Sequence, residues 1–283
     1  MLAYRSGIFP MADSRDDPEI FWIEPRMRAI LPLDGLQVSH SLARSLRRGR
    51  FTVTCNAAFS QVMDACAAPR PVRACSDHPE DEETESESWI SHRIQRSYEA
   101  LHRLGLAHSI ECWIEGDSPA ERTLAGGLYG VGFDGVFCGE SMFSRQRDAS
   151  KVALCWLVAA LRRTGASLLD CQFITSHLAS LGAIEISQMR YLELLDAAQA
   201  PSLRGKITPP STRRPFPDQL AAPSASSAAT SASDGAALAT ADGDSTAVAP
   251  LSAGFAALLD DAAGAGLSAS PGKLIAQLLT QTS

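Results

Sequence analysis

The chain has 283 residues, of which 45% are hydrophobic and 20% are charged, and its formal net charge is −7. This length allows one large or two small domains. No run of about eighteen apolar residues occurs, which excludes a membrane-spanning helix, and residues 1–10 lack the apolar core of a secretory signal peptide.

The first elements come from the hydrophobic pattern of residues 1–105. The stretch 7–33 is rich in Pro, Arg and aromatic residues and predicts irregular chain with a short strand. Gly105 is a plausible end of the last helix in this part of the chain. The predicted elements are a strand at 28–31, a helix at 39–48, a strand at 51–55, a helix at 57–67 and a helix from about 90 to 101.

The second half of the predicted fold contains a hairpin. Asp134 and Gly135 lie between two apolar runs, and an Asp-Gly pair in that position predicts a tight turn between antiparallel strands. Because strands and helices are mixed and consecutive strands pair, the predicted class is α+β. The elements are strands at 109–115, 125–132 and 136–143, a helix at 148–162, a strand at 168–174, a short helix at 177–183 and a helix at 188–198.

The last third of the sequence has a different composition. In residues 221–250, Ala, Ser, Thr and Gly account for 23 of 30 positions. Such a stretch buries too little apolar surface to offset the entropy of ordering it. We therefore expect the folding unit to end near residue 200 and residues 201–283 to form a low-complexity disordered tail. Apolar residues between 255 and 279 form a weak amphipathic pattern that could dock a partner, but we expect this segment to be disordered as well.

Charge is distributed unevenly along the chain. Residues 76–88 hold seven acidic residues, and residues 215–283 hold six aspartates against one lysine. The remaining chain holds 24 Lys and Arg against 19 acidic residues, a net charge of +5. A basic core suits an anionic partner without identifying one.

The seven cysteines are an odd number and include no close pair at metal-ligand spacing. This pattern argues against a zinc site and against a disulfide framework. We expect free buried thiols, a reducing cytoplasmic location and no bound metal.

Three acidic and amide residues are candidates for chemistry. Asp170 and Gln172 lie two apart on a predicted strand and so face the same side of it. On an otherwise apolar strand such polar side chains either take part in function, have hydrogen-bond partners, or are exposed to solvent at the strand end. Glu140 lies in an apolar strand between Gly139 and Ser141, where it could hold a cationic group or be an ordinary surface or salt-bridged carboxylate.

Two basic groups and two aromatic residues are candidates for nucleic-acid contacts. Cations at a helix start make a site for phosphate or simply a charged helix start, and an arginine cluster within a helix makes a second phosphate contact or simply a solvated face. Trp89 and Tyr98 could stack on a base, although Tyr98 falls on the apolar stripe of its helix, where packing explains it equally well. The basic candidates are Arg44, Arg47 and Arg48 in one group and Arg145, Arg147 and Lys151 in the other.

Several sequence strings, spread over about residues 7–196, occur together in one order. They are G-I-F-P at 7–10, residues 22–33, W-I at 89–90, H-S-I-E at 108–111, G-G-L-Y-G-V at 126–131, F-C-G-E-S-M-F-S-R at 137–145, A-S-K at 149–151, L-D-C-Q at 169–172 and H-L-A-S-L-G-A at 177–183. In this combination the chain resembles the bacterial leucyl/phenylalanyl-tRNA–protein transferases.

The resemblance implies a fold and a domain organisation. It implies a small N-terminal α+β domain at 1–70, an acidic loop at 71–88 and, at 89–200, a domain similar to the GNAT acetyltransferases. Relatives usually carry a longer segment before G-I-F-P, so the resemblance also implies a misassigned start or a missing part of the small domain.

The resemblance also implies a reaction and its partners. Leu or Phe, and less often Met, moves from aminoacyl-tRNA to the α-amine of proteins that begin with Arg or Lys, which marks them for N-degron degradation. It implies a monomeric, cytoplasmic enzyme without a cofactor, metal or membrane partner. The alternatives are an acyl-CoA-dependent N-acetyltransferase and a non-catalytic tRNA-binding module. The turn at 145–150 has no glycine for a pyrophosphate loop, which argues against the first alternative.

Site roles follow from the same resemblance. Asp170 and Gln172 match the positions proposed to activate the attacking amine, with Asp170 orienting Gln172. Glu140 matches a position that holds the substrate near the acyl amino acid, while Trp89 and Tyr98 match positions near the terminal adenosine. The residues that match the apolar side-chain pocket are Leu128, Phe137, Met142 and Leu154.

Overall fold

A computed structural model describes residues 1–69, 88–116, 121–200, 248–268 and 270–280. Its strands are β1 (Phe9–Met11), β2 (Phe21–Ile23), β3 (Met27–Ile30), β4 (Thr52–Cys55), β5 (Ala107–Ile114), β6 (Thr123–Phe133), β7 (Val136–Ser144), β8 (Leu168–Gln172) and β9 (Ile184–Ser187). Its helices are α1 (Leu2–Arg5), α2 (His40–Arg48), α3 (Phe59–Ala67), α4 (His92–Arg103), α5 (Ala149–Thr164), α6 (Ser176–Ala179), α7 (Gln188–Gln199), α8 (Leu251–Gly264) and α9 (Gly272–Thr280).

A seven-stranded sheet with the order β4-β5-β6-β7-β8-β3-β9 carries the fold. Only its β7–β8 pair is parallel, and the other neighbours are antiparallel. Asp134, whose φ is +49°, and Gly135 join β6 to β7 as the sequence predicted. The α+β class is confirmed.

The sheet is covered on both faces. Helices α2, α5, α8 and α9 pack on one face, and α3, α4 and α7 contribute to the core on the other. The local sequence specifies both ends of α2. At its start the Ser39 hydroxyl accepts a hydrogen bond from the Leu42 amide at 3.3 Å, and at its end Gly49 adopts a φ of +60°.

The N-terminal 70 residues contribute strands both to a small sheet of their own and to the central sheet. Strands β1 and β2 pair with each other, but β3 and β4 lie in the central sheet beside strands from residues 107–187. The short β3 pairs with both β8 and β9, so the central sheet draws on residues before and after the expected boundary at residue 70. The expected acidic loop at 71–88 lies outside the described residues, apart from Ser88.

The C-terminal part differs from the expected disordered tail. Residues 201–247 lie outside the described residues, but residues 251–264 and 272–280 are helices that pack on α5 and α2. Phe255, Leu258 and Ile275 are buried there, and the Phe255 ring lies 5.0 Å from that of Trp156. The amphipathic pattern at 255–279 therefore covers the chain's own core. No helix in the described ranges is long and apolar enough to cross a membrane.

Candidate active site

A cavity of about 780 Å³ opens where β6, β7, β8 and the start of α5 meet. Most of its wall is apolar, and Glu140 and Gln172 contribute polar groups to it. A largely apolar cleft with a few convergent polar groups is the usual form of a small-ligand or substrate site. The apolar lining includes Leu128, Met142, Phe143, Leu154, Leu157 and Leu169.

Glu140 reaches this cavity because β7 contains a bulge. Gly139 pairs with Gly130 and Ser141 pairs with Tyr129, so Glu140 is the extra residue opposite the junction of two β6 residues. A bulge of this kind re-aims a side chain and bends the strand. Gly130 is required beside it, since a Cβ at that position would collide with the carbonyl oxygen of Cys138.

The Glu140 carboxylate is buried and is held by two tyrosines. The Tyr4 hydroxyl donates to Oε1 at 2.8 Å, and the Tyr98 hydroxyl donates to Oε2 at 2.7 Å. Burial raises the pKa of Glu140 from 4.5 to about 7, although these hydrogen bonds and the nearby Gln172 amide lower it. Burial and the Glu140 charge raise the pKa values of both tyrosines well above 10, which keeps their hydroxyls protonated as donors.

Asp170 lies behind the cavity wall and is wholly buried. Arg28 donates to both of its oxygens, with Nε at 2.9 Å from Oδ1 and Nη2 at 2.6 Å from Oδ2. The Tyr191 hydroxyl donates to Oδ2 at 2.9 Å, and the backbone N–H of Gln172 donates to Oδ1 at 2.8 Å. The carboxylate therefore acts on Gln172 through the main chain.

Gln172 combines an unusual backbone with an unpaired side-chain donor. Its φ is +62°, in the left-handed region that non-glycine residues rarely adopt. Its side chain lines the cavity near enough to Glu140 to lower the pKa of that carboxyl, but its buried Nε2 atom forms no hydrogen bond of acceptable geometry among the described residues. A buried polar atom without a partner costs free energy, and such atoms gather at functional sites.

The structure separates the predicted pocket residues into two groups. Leu128, Met142 and Leu154 line the cavity, as does Trp89, which is half-buried. Phe137 does not line the cavity: it is 1% exposed and its ring fills the space over Gly130 in the core beneath α5.

Tyr98 also differs from its expected place beside a terminal adenosine. It is 2% exposed, and its ring packs edge-on against Tyr129 with centroids 5.4 Å apart. A base has no access to a ring enclosed in this way. The hydroxyl, which holds Glu140, is the part of this side chain that serves the site.

Comparison with known families shows the family of the chain that carries this cavity. The family model described as leucyl/phenylalanyl-tRNA protein transferase matches residues 30–196, and the model for the N-terminal domain of that transferase matches residues 1–26. The chain belongs to the leucyl/phenylalanyl-tRNA–protein transferase family.

Curated relatives agree with this assignment. A leucyl/phenylalanyl-tRNA–protein transferase of Novosphingobium aromaticivorans is 57% identical over 99% of this chain and 94% of the relative. Those of Rhizorhabdus wittichii and Zymomonas mobilis are 53% and 50% identical over 69% and 73% of this chain, covering 72% and 70% of the relatives. The two ranges that the family models match, residues 1–26 and 30–196, include all the residues that line the cavity.

The two basic groups of this transferase lie next to each other. Arg50, just after α2, donates to the Gln146 side chain at 3.3 Å, and Ser45 of α2 donates to Asp148 at 3.1 Å. Arg145 also lines the cavity. The candidate arginines Arg44, Arg47, Arg48, Arg145 and Arg147 are exposed, and Lys151 is half-buried. The segments that carry them are therefore adjacent beside the cavity, and these six cations are here called the α2–α5 surface.

Sequence reasoning missed three residues that build the candidate site. Arg28, Tyr4 and Tyr191 hold Asp170 or Glu140 from segments far away in the sequence. Arg28 carried one usable signal, since a charged residue inside a predicted strand that ends in apolar residues requires a buried partner. Nothing in the local pattern distinguished Tyr4 or Tyr191 from ordinary core tyrosines.

Proposed function

We propose that this protein transfers Leu or Phe, and less often Met, from aminoacyl-tRNA to the α-amine of proteins that begin with Arg or Lys. The transfer marks those proteins for degradation by an N-degron pathway. The observation that carries the proposal is the apolar cavity with Glu140 and the unpaired Nε2 of Gln172 in its wall. Family membership supports the donor and the reaction class.

The reaction requires no covalent bond between the substrate and the protein. The amine nitrogen forms a bond to the acyl carbon, and the bond from that carbon to the ribose oxygen breaks. The incoming ammonium loses two protons in all, of which one ends on the ribose hydroxyl and the other leaves to solvent. Because the ester is already activated, alignment of amine and carbonyl supplies most of the acceleration.

Glu140 and Gln172 are the groups suited to that alignment. A buried carboxylate between two tyrosine hydroxyls holds the substrate near the acyl amino acid and favours a cationic group. A glutamine amide is a poor base, and we assign Gln172 to positioning the attacking amine rather than to removing its proton. Asp170 orients Gln172 through the 2.8 Å hydrogen bond to its backbone N–H.

The remaining cavity residues and the adjacent basic surface are suited to binding the aminoacyl-tRNA donor. Leu128, Met142 and Leu154 offer an apolar pocket for an amino-acid side chain that is not branched at Cβ. We assign Trp89, which lines the cavity, to stacking on a terminal base. The α2–α5 surface is the electrostatic site for acceptor-stem phosphates.

A donor and acceptor panel tests the proposal. Purified protein is incubated with labelled leucyl-, phenylalanyl-, valyl- or isoleucyl-tRNA, or with acetyl-CoA, and with peptides that begin with Arg, Lys or Ala. We expect label on the Arg and Lys peptides from the Leu and Phe donors, with β-branched donors reduced about 10–200-fold. Labelling from acetyl-CoA, or equal labelling of the Ala peptide, would overturn the assignment.

A further inference from the structure

Arg28 lies at a junction of four segments. From β3 it reaches Asp170 of β8, and its Nη1 donates to the carbonyl oxygen of Gly7 at 3.0 Å. Its guanidinium is sandwiched between the rings of Phe9 and Tyr191, with the central carbon 4.6 and 4.4 Å from the two centroids. The side chain is 2% exposed.

This environment is built for a guanidinium. Burial lowers the pKa of Arg28, but the hydrogen bonds and charge of Asp170 outweigh burial and raise it above its ordinary value. The planar fork meets both carboxylate oxygens at once, and the two aromatic faces prevent it from rotating. A lysine at this position would keep the charge but lose both the fork and the stacked plane.

Asp170 has little capacity left for a substrate. Two hydrogen bonds from Arg28, one from Tyr191 and one from the Gln172 backbone occupy its two oxygens, and a carboxylate offers about four acceptor positions. The carboxylate is also fully buried. Its effect on chemistry in the cavity therefore passes through Gln172.

The bond from Asp170 to Gln172 holds a strained backbone. A non-glycine residue in the left-handed region costs on the order of 1–3 kcal/mol and persists only where its surroundings fix it. At Gln172 two contacts fix the backbone: the pairing with Ala29 of β3, and the hydrogen bond to the Asp170 carboxylate, which is in turn fixed by Arg28. This conformation directs the Gln172 side chain to the cavity wall.

We propose that Arg28 is a positioning residue for aminoacyl transfer: it locks Asp170, and through Asp170 it sets the backbone that aims Gln172 at the reacting ester. The inference rests on the proposed function, because it assigns Arg28 a part in that reaction. It also couples the N-terminal segment to catalysis, since Gly7 and Phe9 hold the guanidinium in place.

A double-mutant cycle between Arg28 and Gln172 tests this coupling. The kcat and KM for leucine transfer to an Arg-initiated peptide are measured for wild type, Arg28→Lys, Gln172→Ala and the double variant. Arg28→Lys lowers kcat on the order of 100-fold with little change in KM, as expected when a reacting group is misplaced by about 1 Å. In the Gln172→Ala background the same substitution changes kcat less than about threefold.

The controls separate positioning from stability. Phe255→Ala removes a buried ring on α8 that does not line the cavity, and lowers the unfolding temperature without lowering kcat. All variants are checked by thermal unfolding above the assay temperature. If Arg28→Lys is unfolded there, Tyr191→Phe takes its place in the cycle, since it removes one hydrogen bond to Asp170 and leaves the ring.

Each outcome is decisive. Loss of kcat that is absent in the Gln172→Ala background supports the inference. Additive losses in the double variant, or a change confined to KM, overturn it. Wild-type protein that transfers to no peptide refutes the proposed function itself, whereas an active wild type with an additive cycle refutes only the role of Arg28.

Discussion

At Glu140, burial disfavours the charged form of the carboxylate, while hydrogen bonds from two tyrosines favour it. Its folded pKa of about 7 exceeds its ordinary 4.5, so the folded protein binds this proton more tightly than the unfolded chain does. The folded state therefore loses stability relative to the unfolded state as pH rises from about 4.5 to 7.

We predict that Glu140→Gln removes this loss. Relative to the variant, the wild type becomes less stable by about 3 kcal/mol, to order of magnitude, between pH 4.5 and pH 7. Urea unfolding of both proteins at pH 5 and pH 8 measures the difference. Glu115→Gln is the control for losing a carboxylate at an exposed position. A Glu140→Gln effect that is the same at both pH values would contradict the assignment.

The side chain of Leu154 limits the volume of the apolar pocket. It lies on α5 and lines the cavity together with Leu128 and Met142. We predict that Leu154→Ala raises the ratio of kcat/KM for phenylalanyl over leucyl donors about tenfold, because pocket volume is worth ~1–3 kcal/mol in discrimination.

The matched control for this prediction lies on the same helix. Leu161 is buried on α5 but does not line the cavity, so Leu161→Ala lowers stability and leaves the donor ratio unchanged. Competition between the two labelled donors measures the ratio directly. The same ratio in both variants would show that the response is a general effect of weakened packing.

At the scale of elements, α5 explains why the C-terminal helices fold. Its residues from Val152 to Leu161 are all buried, so the helix is apolar all round and requires cover on both sides. The sheet covers one side and α8 covers the other, at close range: a Cβ at Gly254 would lie 2.6 Å from the carbonyl oxygen of Ala160.

We predict that Phe255→Ala lowers the free energy of unfolding by about 3–5 kcal/mol through loss of the contact with Trp156. Leu259→Ala, on the same helix but 40% exposed, has a much smaller effect. Urea unfolding compares the two variants. Equal stabilities for wild type and Phe255→Ala would show that α8 does not brace α5.

Helix α2 supplies three of the exposed cations of the α2–α5 surface, Arg44, Arg47 and Arg48. We predict that Arg48→Ala weakens aminoacyl-tRNA binding and reduces the slope of log K against log salt by about 0.7–0.9, the value for one lost phosphate contact. Arg103→Ala, at the end of α4 on the opposite face of the sheet, leaves the slope unchanged. A slope unaffected by Arg48→Ala would remove α2 from the tRNA site.

Local patterns predicted most of these elements and missed others for physical reasons. Ser39 and Gly49 mark the bounds of α2, and the Asp134-Gly135 pair marks the hairpin, because cap and turn chemistry is local. Helices α8 and α9 were missed because the low-complexity stretch before them dominated the composition. The apolar surface of α5 on all sides was a signal that a further covering element existed.

At the scale of the whole molecule, the site is an assembly of distant segments. Sequence patterns could identify Asp170, Gln172 and Glu140 as unusual polar residues in apolar strands. They could not show that Tyr4, Arg28 and Tyr191 contact these polar residues, because those contacts depend on which segments are neighbours in the fold. The insertion of β3 between β8 and β9 is a long-range pairing that brings Arg28 beside Asp170.

The central claim is that transfer takes place in this cavity and depends on Gln172. The most direct measurement is the single-turnover rate of leucine transfer from leucyl-tRNA to an Arg-initiated peptide, at saturating protein, for wild type and Gln172→Ala. We predict a loss on the order of 100-fold with unchanged binding of both substrates. Equal rates for the two proteins would contradict the account.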